Sequence, residues 1–161
     1  MVTLCLSVVP SFAQEKKAIY NPLANAENDI KNAVKLAAKE NKQVLIQVGG
    51  NWCSWCTRFQ NTVKNSDTLR QLMDDNYVMI HLNYSPENKN EASLARLSYP
   101  QRFGFPVFVI LDRKGQRIHT QNSAYLEEGK GYDNKKIAEF LEQWSAHATD
   151  PATYKNTTDK K

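Results

Sequence analysis

The sequence predicts an α/β fold, a small central mixed β-sheet flanked by helices on both faces. Two observations lead there. Apolar residues at helical spacing alternate along the chain with short β-branched runs, the order in which βαβ units are written. The run Pro106–Leu111 is followed by the turn Asp112-Arg113-Lys114-Gly115 and a further strand pattern, which reads as a hairpin. Strands joined through helices are most simply parallel, whereas a hairpin adds an antiparallel edge, so the sheet is mixed.

The elements follow in order. Gln14 to Pro22 is polar, with a short strand at Ala18–Tyr20. Ala26, Ile30, Ala33, Val34, Ala37 and Ala38 recur at helical spacing and place a helix at 26–40, with Asn41 as its stop. Gln43–Gly49 is a β-branched run bounded by turn residues and reads as a central strand. From Cys53 the apolar positions Cys56, Phe59 and Val63 give a helix to Lys64, and Ser66 caps a second one carrying Leu69, Leu72 and Met73. Tyr77–Leu82 is the next strand, Tyr84–Asn90 a polar loop, and Ala92–Leu97 a short helix. Gln116–Thr120 returns from the hairpin turn, and Ile137, Phe140, Leu141 and Trp144 form the stripe of a last helix at 134–147. From Thr149 the chain is a polar tail that should fray.

The 161 residues suit one domain with a real core, and 41% hydrophobic with 24% charged residues is an ordinary globular balance. The net charge of +4 is spread out, with no basic block interleaved with aromatics. A nucleic-acid partner is therefore not expected. Residues 1–13 hold no charge, are mostly apolar and end in Ser11-Phe12-Ala13, as a cleaved secretory signal does. An uncleaved anchor and a poorly ordered apolar terminus are the alternatives. Cleavage would remove Cys5, which lacks the Leu-x-Gly-Cys context of a lipoprotein signal. The expected layout is a signal peptide at 1–13, a linker at 14–25, the folded domain at 26–148 and a tail at 149–161.

Chemistry concentrates in Trp52-Cys53-Ser54-Trp55-Cys56. A strand that feeds a Cys-x-x-Cys at a helix start is the arrangement of a dithiol redox site. The spacing lets one sulfur attack a substrate disulfide while the other resolves the mixed disulfide. Backbone N–H groups and the positive end of the helix dipole favour a thiolate at the first position. A zinc site would need two further ligands, and His81, His119 and His147 do not stand at metal spacing. No metal or other cofactor is expected.

With these residues the chain resembles the thioredoxin superfamily. The matching segments are Gln43–Cys56, Tyr77–Leu82 and Phe103-Gly104-Phe105-Pro106 leading into the hairpin, and the resemblance covers about residues 26–147. Lys39–Ile46 looks like the secreted bacterial branch, which includes the C-terminal domain of the disulfide-transfer protein DsbD. The resemblance implies an exposed attacking thiol at Cys53 and a buried resolving thiol at Cys56, whose place on the stripe with Phe59 and Val63 also argues burial. It implies a cis-proline at Pro106, facing the cysteines and freeing the Phe105 backbone to pair with an extended substrate. Trp52 is expected to be half-packed beside Cys53, and Trp55 exposed at the motif's tip. Phe103 and Phe105 are either core aromatics or substrate-facing ones. Two departures stand out: Gln47 where thioredoxins carry a buried Asp, and Gln60 where the DsbD type carries a Glu. Both amides should lie near Cys56, and neither takes up a proton at neutral pH.

The expected function is thiol–disulfide oxidoreduction on protein disulfides through Cys53 and Cys56, in the reducing direction, in the periplasm or secreted. The expected state is a monomer supplied with electrons by a membrane dithiol. The alternative is a binding or chaperone-like module that keeps the fold and uses the Phe105–Trp55 surface.

Overall fold

The computed structural model describes residues 18–155; the signal expected at 1–13 and the first residues of the linker lie outside the described residues. Helix α1 (Ala26–Glu40) starts where the Asn25 side chain accepts the Asn28 N–H, and it ends at Asn41, whose left-handed backbone (φ 57°) returns its N–H to Ala37 O. Strand β1 (Gln43–Gly49) is buried along its whole length. Its alternation sends Val44, Ile46 and Val48 against Ile30, Ala33 and Ala37 of α1. Leu45 points to the opposite face, into a second core with Phe59, Leu69, Ile137 and Phe140. That second core is built by α2 (Ser54–Lys64), α3 (Asp67–Asn76) and α5 (Asn134–Gln143). Helices therefore cover both faces, as expected.

Strand β2 (Tyr77–Asn83) pairs with β1 in parallel, Gln43 opposite Tyr77 and Gly49 opposite Asn83. After the short α4 (Glu91–Arg96), β3 (Val107–Leu111) and β4 (Arg117–Asn122) complete the sheet in the order β2-β1-β3-β4. Strand β3 runs antiparallel to β1, with Val107 opposite Val48, which corrects the expectation that helix-joined strands are parallel. In the connection, the six-residue α4 rises only about 9 Å against the roughly 23 Å of seven-residue β1. It does not carry the chain back along the sheet, and β3 starts at the end where β2 stopped. The turn before it holds the cis bond Phe105–Pro106, and this bend carries Phe105 to the same end of the sheet as the cysteines.

Four local expectations change. Ala18–Tyr20 is a bend, because Asn51 Oδ1 takes the N–H groups of Ile19 and Tyr20 that a strand partner would need. A small two-stranded ribbon, β5 (Glu127–Glu128) with β6 (Gly131–Tyr132), precedes α5 and carries no periodic signal. Helix α5 stops at Gln143, not 147: Ser145 Oγ accepts the Ala148 N–H and its carbonyl takes the Thr149 hydroxyl, local bonds that compete with the helix. Through Tyr154 the tail is tied down. Thr149 Oγ1 accepts from Gln43 Nε2 at 2.8 Å, and Tyr154 Oη donates to Ala148 O at 2.9 Å.

Candidate active site

Strand β1 delivers Gly49-Gly50-Asn51-Trp52 to the sheet end, and Cys53 becomes the N-cap of α2. Its sulfur takes the place of a capping oxygen and accepts the Cys56 N–H at 3.2 Å. Cys53 and Cys56 are joined as a disulfide, with Cα atoms 5.3 Å apart. Cys56 lies in the first turn of α2 and is fully buried. Cys53 is only 4% exposed, which corrects the expectation of an open first thiol. The cover is specific: Tyr20 packs on both sulfurs' residues, with Ile19, Trp55 and Phe105 around them.

Trp52 is half-packed as expected, whereas Trp55 is more buried than expected. Trp52 is 56% exposed; its Nε1–H donates to Tyr84 O at 2.8 Å, and its ring meets Phe105 edge-on at 5.1 Å. Trp55 is half-buried, edge-on against Tyr132 at 5.4 Å with the Arg58 guanidinium 4.8 Å over its face. The β5–β6 ribbon that supplies Tyr132 has no sequence signal, so the packing of Trp55 was not readable. Phe105 stacks on Tyr84 at 5.0 Å and reaches the cysteines. Phe103 instead pairs with Arg102 at the surface. Beside Trp52 a groove of about 580 Å³ is lined by Tyr84, Ser85, Pro86 and Lys89.

Behind Cys56 the two glutamines do meet. Gln47 Nε2 donates to Tyr20 Oη at 2.8 Å and points at Cys56 O at 3.4 Å. Gln60 Nε2 donates to Gln47 Oε1 at 2.7 Å and lies 2.9 Å from His81 Nε2. With Gln60 Nε2 as the donor, that ring nitrogen accepts and the His81 proton is assigned to Nδ1. Tyr20 and His81 are the site residues sequence reasoning missed. His81 could have been found from register, since it is the β2 partner of Gln47. Tyr20 offered only the signal of a lone aromatic in a polar stretch.

Burial raises the Tyr20 pKa well above the ordinary tyrosine value, only partly opposed by the bond from Gln47, with Tyr132 adding to the rise. The phenol therefore keeps its proton. Burial lowers the His81 pKa from its ordinary 6.5, so the folded state binds fewer protons there than the unfolded chain. Stability should then be complete above pH 6.5 and fall as pH drops below it, where the unfolded chain takes the proton first. His119, also lowered by burial, acts with the same sign. Urea midpoints between about pH 5 and 8 test this: His81→Gln should flatten the slope, and an equally steep slope in that variant would place its origin elsewhere.

Among the described residues no three His, Cys, Asp or Glu side chains cluster as metal ligands would. No described helix is long and apolar enough to cross a membrane.

A family profile described as thioredoxin-like matches residues 25–113, more than half of the chain. The chain belongs to the thioredoxin-like family. Its fold is shared by a disulphide isomerase from Xylella fastidiosa Temecula1, at TM-score 0.68 and 18% identity over 77% of this chain and 94% of that one. The oxidised C-terminal domain of DsbD from Neisseria meningitidis matches at TM-score 0.51 and 21% identity, over 73% and 94%. A protein titled DsbH oxidoreductase matches at 0.50 and 17%, over 85% and 96%. Identities this low speak for the fold alone. No curated protein sequence matches the chain. The thioredoxin-like chain thus carries its Cys-x-x-Cys pair, oxidised, at the start of α2.

Proposed function

We propose that this protein is a thiol–disulfide oxidoreductase that reduces protein disulfides in the periplasm or after secretion. The observation that carries the reading is the Cys53–Cys56 disulfide at the cap of α2, with the Cys56 N–H already aimed at Cys53 Sγ. In the reduced protein that N–H and the helix dipole favour a thiolate on Cys53. The Cys53 thiolate attacks a substrate disulfide, forming one S–S bond and expelling one substrate thiolate. Cys56 then loses its proton to solvent and attacks Cys53 Sγ, which restores the Cys53–Cys56 disulfide and expels the second substrate thiolate. Two electrons pass from the dithiol to the substrate, and a dithiol donor must return them. A membrane dithiol fits that need in an oxidising compartment.

The reducing direction rests on what surrounds Cys53. Between the cysteines stand Ser54 and Trp55, with no histidine to hold an extremely acidic thiol of the strongly oxidising kind. The Phe105 backbone beside cis-Pro106, with Trp52 and Trp55 flanking, is the proposed platform for an extended substrate. Main-chain pairing there makes side-chain selectivity loose. The protein acts as a monomer in this scheme.

In the reduced protein Cys53 should react with limiting iodoacetamide roughly tenfold or more faster than Cys56, since the thiolate fraction favours it. Mass mapping decides this, and preferential labelling of Cys56 would reverse the assignment. One observation favours a second reading, a binding module: the exposed Trp52 groove stands beside a disulfide that is covered. Redox titration separates the two. A couple that equilibrates with glutathione or dithiothreitol supports the oxidoreductase, and one that stays oxidised throughout supports the module.

A further inference from the structure

The carboxylate that would serve Cys56 is absent, and the group closest to taking its place comes from outside the sheet. Asn51 clamps the segment before α1 onto the site: its Oδ1 accepts the Ile19 and Tyr20 N–H groups at 3.0 Å, and its Nδ2 donates to Tyr20 O at 2.8 Å. The clamp drives the Tyr20 ring into the core beside Cys56, where it is 1% exposed. A Cβ placed on Gly49 would lie 2.5 Å from Cys56 Sγ and 2.7 Å from Tyr20 Oη. Sulfur and hydroxyl therefore border the same side of that glycine.

With its nitrogen toward Tyr20, the Gln47 amide meets both the Tyr20 hydroxyl and the Cys56 carbonyl as a donor; turned over, its oxygen would face that carbonyl. Tyr20 Oη is thus an acceptor from Gln47, and among the described residues its own proton is given to no group. A disulfide sulfur is a poor acceptor. A thiolate at Cys56 is an anion in a dry pocket, and there the free O–H has its natural partner.

We propose that Tyr20 is the hydrogen-bond donor that stabilises the Cys56 thiolate during resolution. The proposal rests on the oxidoreductase reading for its purpose, but the bond can be detected without turnover. Unlike a carboxylate, a phenol adds no negative charge to repel the forming thiolate. It takes up no proton, so the proton of Cys56 leaves to solvent and the phenol only holds the anion. The titratable groups that face Cys56 are Cys53 on α2 and Tyr20 from the N-terminal segment. His81 on β2 stands behind Gln60, and Tyr132 on β6 bears on Tyr20. Gln47 on β1 and Phe105 before β3 contribute no charge.

The test uses a chain carrying Cys5→Ser and Cys53→Ser, in which Cys56 is the sole remaining cysteine. The carbon-13 shift of the Cys56 Cβ is followed by NMR against pH, with and without Tyr20→Phe. The phenylalanine keeps the ring and removes only the hydroxyl. Its titration midpoint should lie roughly 1–2 pH units higher, the worth of one charge-assisted bond. In the chain with all three cysteines, single-turnover resolution near neutral pH should slow about three- to tenfold, since lost thiolate is partly offset by greater nucleophilicity. An unchanged or lower midpoint overturns the proposal. A raised midpoint in a protein that turns over no disulfide upholds the Tyr20 bond and defeats the oxidoreductase reading instead.

Discussion

Insulin reduction driven by dithiothreitol is expected to fall to the uncatalysed dithiothreitol rate when Cys53 is replaced by serine. Cys53 Sγ sits at the cap of α2, where the Cys56 N–H points at it, and it is bonded to Cys56 Sγ. A serine hydroxyl can keep the capping bond, so the variant should fold; what it lacks is a sulfur nucleophile that exists as an anion near neutral pH. Cys56→Ser should behave differently, because attack survives and resolution does not. It should accumulate a mixed disulfide with substrate, visible by non-reducing electrophoresis and released by dithiothreitol. A Cys53→Ser variant as active as the parent would leave the binding module in possession. Equal trapping by both serine variants would mean that either sulfur can attack.

Much of the site was legible because it depends on spacing along one helix. Cys53, Cys56, Phe59 and Gln60 fall on α2 with a fixed period, and the preceding strand is marked by its β-branched run. The nearness of Gln47 and Gln60 to Cys56 followed from that periodicity and from one polar residue in an apolar strand. What was not legible depends on contacts between segments far apart in the chain. Tyr20 reaches the cysteines only because Asn51, thirty-one residues on, holds its backbone. Trp55 is more buried than expected because Tyr132 of the β5–β6 ribbon packs against it. The direction of β3 depends on the path of the whole connection from Asn83 to Val107, which the hydrophobic pattern does not encode.

Gly49→Ala is expected to damage the site by placing a methyl group against the buried cysteine and the Tyr20 hydroxyl. Gly49 ends β1 on the face that looks at α2, and an added Cβ would stand 2.5 Å from Cys56 Sγ and 2.7 Å from Tyr20 Oη. Neither neighbour can yield cheaply. Cys56 is fixed in the first turn of α2, and Tyr20 is a rigid ring with its backbone clamped by Asn51. Overpacking of this kind costs about 1–3 kcal/mol. The weaker attachment should give first, which is the N-terminal segment, so Tyr20 should leave the pocket and expose the cysteines. Gly131→Ala is the control. A Cβ there meets nothing within 4 Å, and reduced freedom of the unfolded chain should make it neutral or stabilising by up to about 1 kcal/mol. Urea unfolding followed by tryptophan fluorescence measures both. Limited proteolysis of the oxidised protein should cut Gly49→Ala, but not Gly131→Ala, near residues 18–24. If the two alanines prove equally harmless and the segment stays protected, then the sulfur, the phenol and the strand end do not meet as tightly as the geometry states.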